Sequence, residues 1–152
     1  MKPLLVLLTV FGLSLVVIRL LTGNFHLSLA GSIAMSAMLL LTASGHFMFA
    51  KGMQAMLPPF LPFKKAIVFF TGIFELAVAV GLLIPSSQKP AAWGLIIFFV
   101  LILPANISAA IRGIDYQKGT TGGPGINYLW FRVPLQLFFI AWVYFFSIYL
   151  NK

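Results

Sequence analysis

Cysteine is absent from this chain of 152 residues. Without a thiol, the protein has no disulfide relay, no thiolate nucleophile, no iron-sulfur cluster held by cysteines and no thiolate zinc site. Any redox role would therefore depend on a bound cofactor or on a partner protein.

Charged residues are also scarce. They make up 8% of the sequence, against 61% hydrophobic residues, and the mean hydropathy is +1.07. Such a composition has too little polar surface to cover a water-soluble globule. We therefore predict an integral membrane protein, with residues 1–152 forming one membrane-embedded domain because no connection is long enough for a soluble domain.

Long apolar runs predict an all-α, polytopic bundle of transmembrane helices, since a helix needs about 20 residues to cross the hydrocarbon core. The first run follows a lysine, as in a secretory signal, but Arg19 and Asn24 come after it and no small-x-small cleavage pattern is evident. We therefore expect it to be retained as a fifth membrane helix. The five predicted crossings are Pro3 to Leu21, Ser28 to Ala50, Lys65 to Ile84, Pro90 to Ile111 and Asn127 to Leu150.

The second run and its exit have distinct compositions. The run SLAGSIAMSAMLLLTASGHFMFA is rich in Ala, Gly and Ser, which allow close helix approach in lipid, so we expect it to be central. The following segment KGMQAMLPPFLPFKK contains Pro58, Pro59 and Pro62 between flanking lysines. It is predicted to lie along the membrane interface without a regular helix across the prolines and to turn the chain back.

The basic residues predict the orientation. Five crossings place six cations on one side and three on the other, and cytoplasmic loops near helix ends collect Lys and Arg. This distribution predicts a cytoplasmic amino terminus and an external carboxyl terminus. The net charge of +8 then indicates contact with lipid headgroups rather than with nucleic acid. The six are Lys2, Lys51, Lys64, Lys65, Arg112 and Lys118, and the three are Arg19, Lys89 and Lys152.

Acidic residues number only two, Glu75 and Asp115. Asp115 is in a polar loop, whereas Glu75 is in the middle of an apolar run of helical length. A charged side chain at that depth is costly, so it is expected to face the protein interior and to have a partner. Arg132 is the one cation at a similar depth, and the sequence therefore predicts a Glu75–Arg132 salt bridge.

Polar residues on four predicted helices fall near one depth. They are His46, Glu75, Asn106 and the pair Arg132 and Gln136, the last two spaced i, i+4. We predict a network in which Arg132 donates to Glu75 and the others satisfy the remaining groups. The network has two interpretations: a structural one that fixes helix register, or a ligand site. A lone His46 does not indicate a metal or haem site, and no metal ligand set is predicted.

Four segments resemble the DoxX-like family of small bacterial membrane proteins: SGHFMFAKGMQAM, TGIFELAVAVGLLIP, GLIIFFVLILPANISAAIRG and YLWFRVPLQLFFIAWVYF. The resemblance implies a four-helix membrane core and a location in the bacterial inner membrane. Some members of that family are associated with quinone-linked sulfur oxidation or oxidative-stress complexes, and distant ones with membrane-protein assembly. The match carries over Glu75, Pro104 and Asn106 as pattern residues, without assigning them a catalytic role.

These observations support three functional hypotheses. The first is a redox-associated accessory subunit that binds a quinone or another lipid-soluble molecule among the polar residues predicted at one depth, here called the polar layer. Such a subunit would have no covalent cofactor and would receive electrons from a partner membrane or redox protein. The second is a non-enzymatic factor that assembles or stabilises other membrane proteins through small-residue helix faces. The third, ranked below both, is a small-molecule or proton pathway, because five helices without an evident inverted repeat suit alternating access poorly.

Overall fold

The computed structural model describes residues 2–115, 117–123 and 125–151, and over these residues the protein is an almost entirely helical bundle. The predicted all-α fold is confirmed. The helices are α1 (Lys2–Thr22), α2 (Leu27–Met48), α3 (Ala50–Met56), α4 (Lys64–Gly81), α5 (Gln88–Ile111) and α6 (Leu129–Val143). A 3-10 turn, Ile126–Tyr128, precedes α6, and a π-helical turn, Tyr144–Tyr149, follows it.

Four helical stretches in the described part of the chain are long and apolar enough to cross a membrane: Lys2–Thr22, Leu27–Met48, Gln88–Ile111 and Ile126–Tyr149. They coincide with four of the five predicted crossings. The fifth, α4, is 18 residues long and carries three charged residues, Lys64, Lys65 and Glu75.

Helix α4 runs antiparallel to α2 and packs closely on it. Ser36 of α2 donates to the carbonyl of Ala79 (2.8 Å), while His46, ten residues later in α2, contacts the carbonyl of Val68, earlier in α4 (3.0 Å). Helix α4 therefore lies alongside a membrane-length helix but is not itself among the four candidate spans.

The ends of the helices differ from the predicted bounds for local reasons. Helix α2 ends at Met48 rather than Ala50, because Phe49 leaves helical geometry (φ −114°, ψ 31°), and the chain resumes as the short helix α3. The interfacial segment thus contains a helix before its prolines. Helix α4 ends at Gly81, three residues before the predicted end, and a turn leads into α5.

Helix α2 occupies the centre of the bundle, as its composition predicts. Ala30, Ala34, Ser36 and Ala43 are all buried. Gly31 admits the ring of Phe146 where any other residue would place its Cβ. The small side chains of α2 are therefore used for packing within this chain, against α4 and the carboxyl-terminal helix.

A short connection closes the bundle at the end where α3 lies. Ile114–Asp115 and Thr120–Thr121 pair as an antiparallel hairpin. Gly119, in the left-handed conformation (φ 68°), brings the hairpin onto α3, where an added Cβ would lie 3.5 Å from the Cα of Gly52. Arg112 at the end of α5 donates from Nη2 to the carbonyls of Met56 (2.7 Å) and Leu57 (3.0 Å). These contacts fix α3 and the proline-rich segment to the rest of the bundle.

Candidate functional site

Glu75 lies at the interface of α2 and α4, with only 4% of its surface exposed. The hydroxyl of Thr42 donates to its Oε2 at 2.8 Å, and Nε2 of His46 lies 3.4 Å from its Oε1. Thr42 and His46 are four residues apart in α2, so both side chains point from the same helix face toward α4. The buried acid therefore has its polar partners on α2.

The backbone of α4 holds the other side of the His46 ring. Nδ1 lies 3.0 Å from the carbonyl oxygen of Val68 and 3.1 Å from Oγ1 of Thr71. A carbonyl oxygen only accepts hydrogen bonds, so Nδ1 carries a hydrogen and donates it. Nε2 is consequently the nitrogen that faces Glu75.

A glycine makes this arrangement possible. A Cβ at Gly72 would lie 2.8 Å from the Cβ of His46, a separation that real side chains do not tolerate. The absence of a side chain at Gly72 lets α4 approach α2 closely enough for the Glu75–His46 contact to form.

The contact between His46 and Glu75 has a defined chemical capacity. Because Nδ1 already carries a hydrogen and Oε2 accepts one from Thr42, one further proton can reside at either Nε2 or Oε1. With the proton on Nε2 the pair is an imidazolium and a carboxylate, and with the proton on Oε1 it is neutral. The arrangement can therefore store or transfer a single proton without leaving a buried charge unpaired.

An open groove of about 540 Å³ lies beside this pair, between the end of α2 and the first half of α4. His46 is the residue of the pair that reaches it. Lys65 supplies a charged group, and the remaining walls are apolar, with four phenylalanines. The lining consists of His46, Phe47, Ala50, Phe63, Lys65, Ala66, Val68, Phe69 and Phe70.

Arg132 is not a partner of Glu75 in this structure, which corrects the predicted Glu75–Arg132 salt bridge. Its guanidinium carbon lies 5.8 Å from the centre of the Tyr128 ring, one turn earlier on the same helix. Helix α4 packs most closely on α2, whereas α6 packs on α5 and reaches α2 at Trp142, whose Nε1 donates to the carbonyl of Gly31 (3.2 Å). The sequence indicated that the two opposite charges lie at a similar depth, but it did not indicate which helices are neighbours.

Asn106 and Gln136 form a separate buried pair between α5 and α6. Asn106 Nδ2 donates to Oε1 of Gln136 at 3.2 Å, and Gln136 Nε2 donates to the carbonyl of Phe99 at 2.5 Å. Within the described residues, no hydrogen bond connects this pair with Glu75 or His46. The predicted single layer is thus two pairs, one on each side of the bundle.

A further polar cluster lies at the opposite end of α2 and was not predicted. Gln88 donates from Nε2 to Oγ of Ser32 (2.7 Å), Ser32 and Ser147 share a hydrogen bond (3.1 Å), and Asn151 donates to Oε1 of Gln88 (2.9 Å). Ser147 belongs to the π-helical turn, which brings its hydroxyl to α2. The only signal in the sequence was the isolated serine hydroxyls in apolar helices, which a bundle must satisfy.

Among the residues that the structure describes, no three His, Cys, Asp or Glu side chains come close enough together to share a metal ion. The polar groups at the groove are an imidazole with a carboxylate behind it and an ammonium.

Comparison with curated proteins found no match, and comparison with solved structures found none. A family model described as Domain of unknown function (DUF8561) matches residues 35–147. The matched range begins inside α2 and ends inside the π-helical turn, so it contains both buried pairs and the groove, while α1 lies before it. The chain therefore belongs to the DUF8561 family.

Proposed function

We propose that the groove beside His46 binds a lipid-soluble, quinone-like molecule and that the protein acts as a redox-associated accessory subunit of the membrane. The observation that carries this proposal is that His46, backed by Glu75, lines a groove whose other walls are apolar except for Lys65. The resemblance of the sequence to DoxX-like proteins, some of which are associated with quinone-linked chemistry, points in the same direction.

The shape and lining of the groove suit such a ligand. Its volume of about 540 Å³ falls in the usual range for small-molecule sites, roughly 300 to 1,000 Å³. Phe47, Phe69 and Phe70 offer flat apolar surfaces, while Ala50 and Ala66 leave room between them. A ring with polar carbonyls would place its apolar faces against the phenylalanines and one carbonyl toward the imidazole.

The pair gives the groove a proton source and acceptor. A quinone takes up two protons and two electrons on reduction, and a histidine backed by a carboxylate can donate or receive one of those protons. In this proposal the electrons come from a partner redox protein, because the chain has no cysteine to carry them.

The proposed location is the bacterial cytoplasmic membrane, with the amino terminus in the cytoplasm and the carboxyl terminus outside. The cluster of lysines at the α3 end of the bundle supports that orientation. The groove would then lie near the cytoplasmic leaflet, since it includes Lys65 and the end of α2.

Mass spectrometry of the gently purified full-length protein tests ligand binding directly. We expect a quinone at close to one copy per chain and a higher melting temperature when a soluble quinone analogue is added. Ala66→Phe, which fills the groove, should abolish both effects. Val80→Phe on the same helix, where 57% of the residue is exposed, should preserve them. No bound quinone and no thermal shift in the unmodified protein would refute the proposal.

An assembly role is the second candidate, and one observation favours it. Helix α1 fully buries only Leu7 and Ile18, and its outer face exposes seven large apolar side chains: Leu5, Leu8, Leu13, Val16, Val17, Leu20 and Leu21. The small-residue face of α2 is already occupied within the chain, so α1 is the surface on which a partner helix would pack. A photo-crosslinker at Leu13, which is 62% exposed, should yield a protein adduct if this role is correct and lipid adducts alone if it is not.

A further inference from the structure

One end of the bundle combines exposed lysines with exposed phenylalanines. Lys51, Lys65 and Lys118 are exposed and belong to α3, α4 and the hairpin connection respectively. Lys64, half-buried, lies beside them at the start of α4. We call these four lysines the basic collar. At the opposite end the described basic residues are Arg19 and Lys89.

Two lysines of the collar are brought together by the tertiary fold. The contact between Gly119 and Gly52 seats the hairpin on α3, and these glycines directly follow Lys118 and Lys51 in the chain. The two ammonium groups therefore extend from adjoining segments that are 67 residues apart in the sequence. Two cations on adjoining segments suit a group that carries negative charge on several oxygens, such as a phosphate.

Two other charged residues at this end, Arg112 and Asp115, are committed to the fold. Arg112 donates to the carbonyls of Met56 and Leu57, so its guanidinium acts as a clamp on α3. The carboxylate of Asp115 accepts the backbone N–H groups of Gln117 (2.9 Å) and Lys118 (3.3 Å), which caps the hairpin turn. The exposed lysines of the collar, together with Lys2 at the start of α1, can therefore reach an external partner.

Phe60 and Phe63 indicate which kind of partner this is. They lie in the proline-rich segment, with 82% and 83% of their surfaces exposed, immediately before Lys64 and Lys65. Exposed aromatic rings next to lysines are typical of a segment at the boundary between headgroups and acyl chains. A soluble anion would bind the lysines but would leave these rings in water.

We propose that the basic collar, with Phe60 and Phe63, is a binding surface for anionic phospholipid headgroups. Lys51 and Lys118 contact the phosphate of one lipid, while the two phenylalanines insert just below the headgroups and set the depth of the bundle. This surface adjoins the groove and shares Lys65 and Phe63 with it, whereas Lys51 and Lys118 lie outside the groove lining, so the two proposals can be tested apart.

The test uses the full-length protein in nanodiscs that contain equal amounts of phosphatidylglycerol and phosphatidylcholine. Native mass spectrometry after gentle extraction measures the ratio of the two lipids retained. The unmodified protein should retain phosphatidylglycerol preferentially at low salt, and the preference should weaken as salt screens the lysines. Lys51→Gln with Lys118→Gln should lower that preference by on the order of fivefold for each lysine removed.

A matched double variant makes the result specific. Arg19→Gln with Lys89→Gln removes the same amount of charge at the other end and should leave the preference unchanged. Phe60→Ser with Phe63→Ser should reduce retention of both lipids equally, because an aromatic ring does not distinguish their charge. Unchanged melting temperatures would show that the variants are folded.

Equal retention of the two lipids by the unmodified protein would overturn the proposal. An equal loss of preference in the two charge variants would also overturn it, because net charge alone would then explain binding. Displacement of the lipid by inorganic phosphate, at an ionic strength where chloride has no effect, would show that the site takes a soluble anion instead.

Discussion

Nε2 of His46 lies 3.4 Å from Oε1 of Glu75, and this contact joins the end of α2 to the middle of α4. Both groups are largely removed from solvent, with 14% and 5% of their side chains exposed. The contact satisfies the one buried acid among the described residues and places its partner at the wall of the groove. Structure and proposed chemistry therefore depend on the same two side chains.

Removing Glu75 should destabilise the protein through His46 and not through Arg132. Glu75→Ala leaves Nε2 of His46 without its partner and the hydroxyl of Thr42 with only the carbonyl of Leu39, at a cost of about 1 to 3 kcal/mol. In a double-mutant cycle measured by melting in detergent, Glu75→Ala and His46→Ala should show a coupling of roughly 0.5 to 3 kcal/mol.

The cycle of Glu75→Ala with Arg132→Ala is the control for that experiment. These two changes should add without coupling, since Arg132 is not a partner of Glu75. Strong coupling to Arg132 together with additivity for His46 would contradict the observed pairing.

Gly72→Ala should separate α2 from α4. Its new Cβ would lie 2.8 Å from the Cβ of His46, which belongs to the root of the side chain and cannot move without the helix. Overpacking of this kind costs about 1 to 3 kcal/mol, measured as a loss of unfolding free energy.

Gly94→Ala provides a comparison in α5. There an added Cβ would meet only Cζ of Phe74 at 3.6 Å, an ordinary contact, and alanine favours the helix by about 1 kcal/mol. We expect a neutral or stabilising change. Similar losses of unfolding free energy for the two substitutions would mean that the close approach at Gly72 does not contribute to stability.

Arg112→Gln should loosen the interfacial segment without affecting the core. The substitution removes the charged donor to the carbonyls of Met56 and Leu57, and hydrogen bonds to charged groups contribute roughly 1.5 to 3 kcal/mol. Amide hydrogen exchange in residues 53–61 should therefore accelerate at least about tenfold. Exchange in residues 92–99 of α5 should not change, and a uniform acceleration would argue against a local clamp.

Gln88→Leu should lower the stability of the protein by disrupting the polar cluster at the other end of α2. The change removes the donor to Ser32 and the acceptor for Asn151, and buried groups left without partners cost about 1 to 3 kcal/mol. Ser86→Ala, at an exposed position two residues earlier, should alter the melting temperature little. If both variants melt alike, the cluster contributes no stability.

Composition and apolar run length were enough to predict the membrane class, the all-α fold and the central place of α2. Those properties depend on the cost of exposing polar backbone to lipid and on side-chain size, which are local to each segment. Helix ends were less predictable. The ends of α2 and α4 were set by the backbone at Phe49 and by the turn after Gly81.

The sequence by itself determined that Glu75 is buried and requires a partner, because a lone carboxylate in an apolar helix has no other stable placement. The identity of that partner was decided only by the tertiary structure. Gly72 lets α4 settle on α2, so His46 and Thr42 reach the carboxylate, while Arg132 lies on a helix that packs elsewhere. Contact between residues far apart in the chain depends on which helix faces meet, and a single sequence does not encode that choice in any local pattern.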